Sequence, residues 1–213
     1  MKTITLSEHL FPDEFRKIPD CPKVLYALGN TALLSSERKV AVIGARKADN
    51  VGVEAAYRFG VMYAEQGYTV VSGLAFGCDA AAHQGCIDAG GKTIAIVATG
   101  LDRVFPKEHT LLQESILATG GLVISEQPVG IKANPSRLVA RNRLQAALAD
   151  FIVVAQCHAK SGTLYTVDFA IKYGKPVFAV DFGFCNEFNA GNCQLLSRGV
   201  QPIHYVDLCH NLA

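Results

Sequence analysis

Short apolar runs alternate with longer helix-periodic segments along most of this chain, and no other feature constrains the fold as much. The runs are rich in Val, Ile and Ala and end at a glycine or a small polar residue. Near-continuous apolar strands are typical of parallel strands that are covered on both faces. We therefore predict an α/β fold, a doubly wound and mostly parallel sheet of the Rossmann type with helices on both faces. Its six predicted strands are 39–44, 68–71, 92–98, 122–125, 151–155 and 175–180.

The chain divides into three predicted stretches. Residues 1–38 are polar and rich in proline, so they are predicted to be an N-terminal lead-in segment. Residues 39–205 carry the strand and helix alternation and form the Rossmann-like domain, and residues 206–213 are a C-terminal tail. The predicted helices cover about 51–66, a segment ending near 89, 106–118, 138–148, 162–173 and a short piece at 193–197.

Composition limits the possible partners and compartments. Half of the 213 residues are hydrophobic and the net charge is +1, so nucleic acid could bind only through a local basic patch. The chain has seven cysteines without a CxxC pair, and we expect reduced, mostly buried thiols in a cytoplasmic protein rather than a metal site. No apolar run reaches the length of a membrane span, so we expect no membrane partner.

A strand-to-helix corner at Ser72–His83 suggests anion binding. Gly73 and Gly77 leave backbone N–H groups open to an approaching phosphate, and the new helix adds its positive end. Asp79 is predicted to cap this helix and His83 to be a structural histidine. Ser72 lacks the sequence of a nucleophile elbow, so no catalytic residue is predicted.

Four other loops are predicted to lie at the same sheet edge: Gly44-Ala45-Arg46, Thr99-Gly100, Ser125-Glu126 and Ala159–Thr163. The first strand ends in Gly44-Ala45-Arg46-Lys47, which is neither a dinucleotide fingerprint nor a Walker A loop. Arg141-Asn142-Arg143 lies on a later helix, where residues two apart diverge, so one arginine could reach the site while the other pairs with an acid. Lys160-Ser161-Gly162-Thr163 opens another helix. Solvated surface charges or simple capping would also explain several of these residues.

Taken together, the motifs resemble those of the DNA-processing protein A family (DprA or Smf). The resemblance covers roughly residues 15–205. It is carried by Ser72–His83, Gly90–Ala95, Thr99–Asp102, Phe105-Pro106, Ser125–Gly130, Arg141–Leu144, Ala149-Asp150 and Ser161–Leu164. The sequence departs from the family pattern at Phe76, where the family has an arginine, at Leu138-Val139, where it has Phe-Pro, and at Val180-Asp181-Phe182, where it has Val-Pro-Gly. A phenyl ring at position 76 could stack on a base.

The resemblance implies an extended Rossmann fold. It also implies a protein that binds single-stranded DNA without enzymatic activity or a cofactor, loads the RecA recombinase during natural transformation and acts as a homodimer. It places Arg46, Gly73, Arg141 and Lys160 in a phosphate pocket. With the turns described above, the predicted DNA- or phosphate-binding residues are Gly44, Arg46, Lys47, Ser72, Gly73, Phe76, Gly77, Thr99, Gly100, Arg141, Asn142, Arg143, Lys160, Ser161, Gly162 and Thr163.

Two alternatives keep the fold and change the ligand. One is a nucleoside monophosphate N-glycosidase of the related lysine decarboxylase-like (LOG) superfamily, whose members carry a PGGxGTxxE motif. The nearest stretch here is Lys160–Tyr165 with Asp168 a turn further on, and it lacks the diglycine and the glutamate. The other alternative is a protein that senses a small nucleotide through the same turns.

Overall fold

One nine-stranded sheet organises residues 1–210, the part of the chain that the computed structural model describes. The strands are β1 (Lys2–Thr5), β2 (Val24–Gly29), β3 (Lys39–Ile43), β4 (Thr69–Ser72), β5 (Thr93–Ile96), β6 (Leu122–Ser125), β7 (Phe151–Val154), β8 (Val177–Asp181) and β9 (Gln201–His204). The helices are α1 (Asp13–Arg16), α2 (Asn50–Glu65), α3 (Cys78–Asp88), α4 (Thr110–Ala118), α5 (Pro135–Leu148), α6 (Thr163–Lys172), α7 (Ala190–Ser197) and α8 (Tyr205–His210), with 3₁₀ turns at Thr31–Ser35 and Lys107–His109.

The strand order is β1-β2-β6-β5-β4-β3-β7-β8-β9. All neighbours from β6 to β9 pair in parallel, whereas β2 is antiparallel to both β1 and β6. The chain moves from β3 outward to β6 and then returns to β7 on the other side of β3. The order therefore reverses between β3 and β7, where open α/β sheets bind their ligands.

Alternation along the strands separates two cores. Ala41 and Ile43 of β3 face the core beneath α5, α6 and α7, while Val40 and Val42 face the core beneath α2 and α3. A smaller cluster, which includes Ile116 of α4, extends the second core. Because successive strand residues point to opposite faces, a fully apolar strand such as β3 requires helices on both sides.

The predicted fold class is confirmed, and all six predicted strands are present with ends that differ by no more than two residues. Three strands were not predicted. Lys2–Thr5 and Val24–Gly29, within the expected lead-in, extend the sheet beyond β6. Gln201–His204 contains a proline and is largely exposed, so it carries little apolar signal.

The cysteines depart from expectation at one pair. Cys185 and Cys193 form a disulfide with their Cα atoms 6.3 Å apart, because the loop after β8 folds back onto α7. The expectation of reduced thiols is wrong for these two residues. It holds for the free cysteines Cys21, Cys78, Cys86 and Cys157. The Cys209 side chain and the end of the expected tail, residues 211–213, lie outside the described residues.

Among residues 1–210, no helix combines the length and the apolar character that crossing a bilayer requires.

Candidate functional site

A cavity of about 480 Å³ lies at the carboxyl edge of the sheet, at the reversal between β3 and β7. Four segments form its wall: residues 43–47 at the end of β3, Ala75 and Asp79 of the corner after β4, the first three turns of α5, and residues 158–166 around the start of α6. The amino-terminal ends of α5 and α6 therefore both border it. Partial positive charge at helix amino termini favours an anion in this position.

The turn after β3 contributes the two exposed cations, Arg46 and Lys47. Ala45 N donates to Gln156 O (2.7 Å) and Cys78 N donates to Ala45 O (3.2 Å), so the turn is fixed to β7 and α3. Among residues 1–210, neither cationic side chain has a hydrogen-bond or ion-pair partner. Both charges are therefore available to a ligand.

Arg141 of α5 supplies a third cation from inside the wall, where its side chain is only 4% exposed. Its Nη1 donates to Gly73 O (2.8 Å) and to Ile96 O, which joins the end of β4 to the end of β5. Burial is the main cause that lowers the pKa of Arg141 to about 10; the Asp79 charge opposes this shift, and the Arg46 charge adds a smaller lowering effect. Arg141 is thus a cation at neutral pH and also a tie between two strands.

The Asp79 carboxylate holds the corner at Ser72–Asp79, because it accepts hydrogen bonds from residues that precede it in the chain. Asp79 Oδ2 accepts from Gly73 N (3.1 Å) and Ala75 N (3.4 Å), while Leu74 adopts a positive φ of 58°. Gly77 (φ 72°) stands at the N-cap position of α3, which has no side-chain cap. The prediction that Asp79 caps α3 is wrong, because its carboxylate closes the preceding turn instead. Burial raises the pKa of Asp79, and the Arg141 charge opposes this rise.

The turn before α6 presents small polar groups to the cavity. Ser161 Oγ accepts from Thr163 N (3.2 Å), and Asn142 Nδ2 donates to Gly162 O (3.3 Å), which links α5 to this turn. Lys160 is exposed at the tip of the same turn. Thr163 is buried at the first position of α6 and lines the cavity.

The structure separates the predicted site residues into those that reach a cavity and those that do not. Eight line the main cavity: Gly44, Arg46, Lys47, Arg141, Asn142, Ser161, Gly162 and Thr163. Gly73 and Phe76 line a smaller adjoining cavity that also includes Arg46 and Arg141. Lys160 stands beside the main cavity without lining it. Ser72, Gly77, Thr99, Gly100 and Arg143 line neither cavity.

Physical reasons account for the five residues outside the cavities. Arg143 points to the opposite side of α5, where it donates to both Glu126 oxygens (2.9 and 2.6 Å) and to Asp20. Ser72 Oγ donates to Val42 O (2.7 Å) within the sheet. Gly100 N donates to Ile131 O (2.9 Å), so Thr99-Gly100 anchors the loop after β6. Gly77 packs against the backbone at 45–46. These contacts hold the five residues away from the walls of both cavities.

Sequence reasoning missed several residues of the wall, including Gln145, His158 and Thr166. His158 bridges two loops, since its Nδ1 lies 2.9 Å from Glu187 O and its Nε2 lies 3.0 Å from Lys47 O. With its amide oriented to satisfy its neighbours, Gln145 accepts from Gly73 N (2.9 Å). The available signal was a glutamine four residues after Arg141, on the same face of the predicted helix.

His83 lies outside the cavities, and its predicted structural role fits its contacts. The imidazole is fully buried, with Nδ1 2.6 Å from Thr93 Oγ1, and the Thr93 hydroxyl donates to Val70 O (2.7 Å). Because the hydroxyl has a single hydrogen, His83 must donate from Nδ1. Burial lowers the pKa of His83 to about 3, so the ring is neutral at physiological pH.

The chain is similar to known proteins over most of its length. A family model described as DNA recombination-mediator protein A matches residues 2–212. The DNA processing protein DprA of Bacillus subtilis is 32% identical over 95% of this chain and 68% of its own length. Protein Smf of Synechocystis sp. is 36% identical over 80% of this chain and 43% of its own length. The chain thus spans less than half of one curated relative and about two thirds of the other.

Solved structures agree with these matches. DprA from Streptococcus pneumoniae superposes with a TM-score of 0.88 at 32% identity, covering 100% of this chain and 74% of that one. DNA processing protein A from Helicobacter pylori superposes with a TM-score of 0.87 at 30% identity, covering 99% of this chain and 94% of that one, and its structure describes a single-stranded DNA binding mode of that protein. The chain therefore belongs to the DNA recombination-mediator protein A family.

Proposed function

We propose that this chain binds single-stranded DNA through the cavity at the carboxyl edge of the sheet, with no catalytic step. The observation that carries the proposal is the convergence of Arg46, Lys47 and Arg141 on one cavity bordered by two helix amino termini. The binding mode described for the Helicobacter pylori relative supports the choice of ligand. Charge contacts of this kind hold phosphates without reading sequence, so we expect binding to weaken as salt rises.

Two observations on acidic residues favour binding over hydrolysis. The Asp79 carboxylate, which lies in the cavity wall, accepts from two backbone amides of its own turn and is engaged in holding that turn. Asp168, the acid nearest to the expected position of an N-glycosidase glutamate, is exposed on α6 and is not part of the wall. We therefore propose a non-enzymatic protein rather than an enzyme of the lysine decarboxylase-like superfamily.

The proposal extends to the biological role that membership of the family implies. We propose that the protein acts in the cytoplasm as a homodimer and delivers single-stranded DNA to the RecA recombinase during DNA uptake. The support for this part is the family membership and the match to DNA processing proteins over most of the chain.

The test is a titration of fluorescently labelled oligo(dT) at low salt, followed by anisotropy, with double-stranded DNA and nucleoside monophosphates as competitors. We expect micromolar or tighter binding that excess monophosphate does not displace. Free base released from the monophosphates would overturn the non-enzymatic assignment. No binding of oligo(dT) at about 50 mM salt would overturn the assignment of the ligand.

A further inference from the structure

Beside the main cavity, the structure forms a second and smaller cavity of about 50 Å³ with an aromatic wall. Phe76 and Phe105 line it together with Pro106. Both phenyl rings are unusually open for large apolar side chains, with Phe76 42% and Phe105 43% exposed. We call Phe76, Phe105 and Pro106 the aromatic shelf.

The aromatic shelf is continuous with the cationic cavity. Four residues line both cavities: Arg46, Ala75, Leu138 and Arg141. A group bound on the shelf would therefore lie next to an anion held by Arg46 and Arg141. This continuity makes the shelf part of one extended binding surface.

Phe76 is held in position rather than being loosely exposed. It lies between Leu74, whose side chain is fully buried, and Gly77, whose backbone packs against Ala45. The ring centroid is 4.8 Å from that of His109 in an edge contact, and His109 Nδ1 lies 2.8 Å from Leu74 O. The carbonyl can only accept, so the histidine donates and is itself fixed. A ring that is already positioned loses little conformational freedom on stacking.

The size of the shelf determines what it can accept. Pockets that enclose a small ligand usually have volumes of several hundred Å³, so a cavity of about 50 Å³ admits only the edge of a planar group. The remaining contact must be made by stacking on an exposed ring. Every nucleobase has a suitable face, whereas no hydrogen-bonding group of the shelf would select one base.

We propose that the aromatic shelf is a nucleobase-stacking subsite, which takes the base adjacent to the phosphate held by Arg46 and Arg141. This inference rests on the proposed function and deepens it, because the cations hold the backbone while Phe76 and Phe105 hold a base. The subsite gives the surface a preference for single strands, since a base in a duplex is stacked on its neighbours and is not free to lie on a phenyl ring.

A single-tryptophan variant tests the subsite directly, because the chain contains no tryptophan. Phe76→Trp places the only indole at the shelf, and Ile171→Trp places it at an exposed position at the far end of α6 as a matched control. Each variant is titrated with oligo(dT) and with an abasic deoxyribose-phosphate strand of equal length and charge. We expect oligo(dT) to quench the Phe76→Trp signal, the abasic strand to leave it unchanged, and neither to quench Ile171→Trp.

The affinities of the wild-type protein and of Phe76→Ala, neither of which contains tryptophan, complete the test. We expect the wild-type protein to bind oligo(dT) roughly 5- to 100-fold more tightly than the abasic strand, and Phe76→Ala to remove most of that difference while leaving abasic binding unchanged. Equal wild-type affinity for the two strands, or an equal loss for both strands in Phe76→Ala, would overturn the subsite while leaving the proposed function standing. No binding of either strand would overturn both.

Discussion

Removing Arg46 should change how strongly salt weakens DNA binding, and the structure permits an estimate of the change. Arg46, Lys47, Arg141 and Lys160 are the cations at or beside the cavity. For single strands, each neutralised phosphate contributes about −0.7 to the slope of log K against log salt, so four contacts give a slope of about −3. The wild-type affinity for oligo(dT) should then fall about 50-fold between about 50 and about 200 mM salt.

Arg46→Ala removes one exposed cation that has no partner within residues 1–210, so the fold should be unaffected. The slope should become about −2, and the same increase in salt should weaken binding about 20-fold. Arg38→Ala is the control for a cation at the opposite edge of the sheet, because Arg38 is exposed and directly precedes β3, where it donates to Gln66 O (2.8 Å) and lies over the Tyr68 ring.

The assay is fluorescence anisotropy of labelled oligo(dT) at four or more salt concentrations for the wild type and both variants. Circular dichroism of each protein checks that the fold is intact. Our reasoning would be refuted if Arg46→Ala kept the wild-type slope, or if Arg38→Ala flattened the slope to the same extent. Either result would place the phosphate contacts somewhere other than this cavity.

Two further predictions concern the fold around the site. A Cβ at position 73 would overlap the side chains of Arg141 and Asp79, whereas a Cβ at Gly162 would face open space. In urea unfolding, Gly73→Ala should therefore lower the free energy of unfolding by about 1–3 kcal/mol, while Gly162→Ala should change it by no more than about 0.5 kcal/mol. Equal effects of the two substitutions would contradict this. Because His83 has its pKa lowered from 6.5 to about 3, the unfolded state binds a proton first as pH falls below 6.5, and stability should drop by about 2 kcal/mol at pH 5. The raised pKa of Asp79 acts in the opposite direction, so the drop is measured as the difference in pH dependence between wild type and His83→Gln, and identical pH profiles would argue against it.

The parallel part of the sheet could be predicted from sequence because its strands are apolar on both faces. β3, β4 and β5 are buried at every position, and such runs leave an unambiguous signal. β1 has a single buried residue, and β2 alternates between half-buried and buried positions, so their apolar content is diluted. Antiparallel pairing of β2 with β6 also depends on long-range contacts that no local pattern reports.

The site was predictable in location more than in detail. The turns after β3 and β7 had to meet, because the carboxyl ends of parallel strands share one edge. Which of Arg141 and Arg143 reaches the cavity depends on the rotation of α5 about its axis, and their spacing alone does not determine that. Asp79 shows the same limit, since an acid in the first turn of a helix can cap it or close the turn before it.

The antiparallel pair formed by β1 and β2 has a practical consequence for expressing the protein. Val24–Gly29 covers the outer edge of β6, whose four residues are all buried. A protein shortened to begin at the first parallel strand would expose a row of unpaired backbone donors and acceptors on an apolar strand, which is a template for aggregation. A fragment that retains the binding edge should therefore keep β2 as well, although none of residues 1–38 lines that edge.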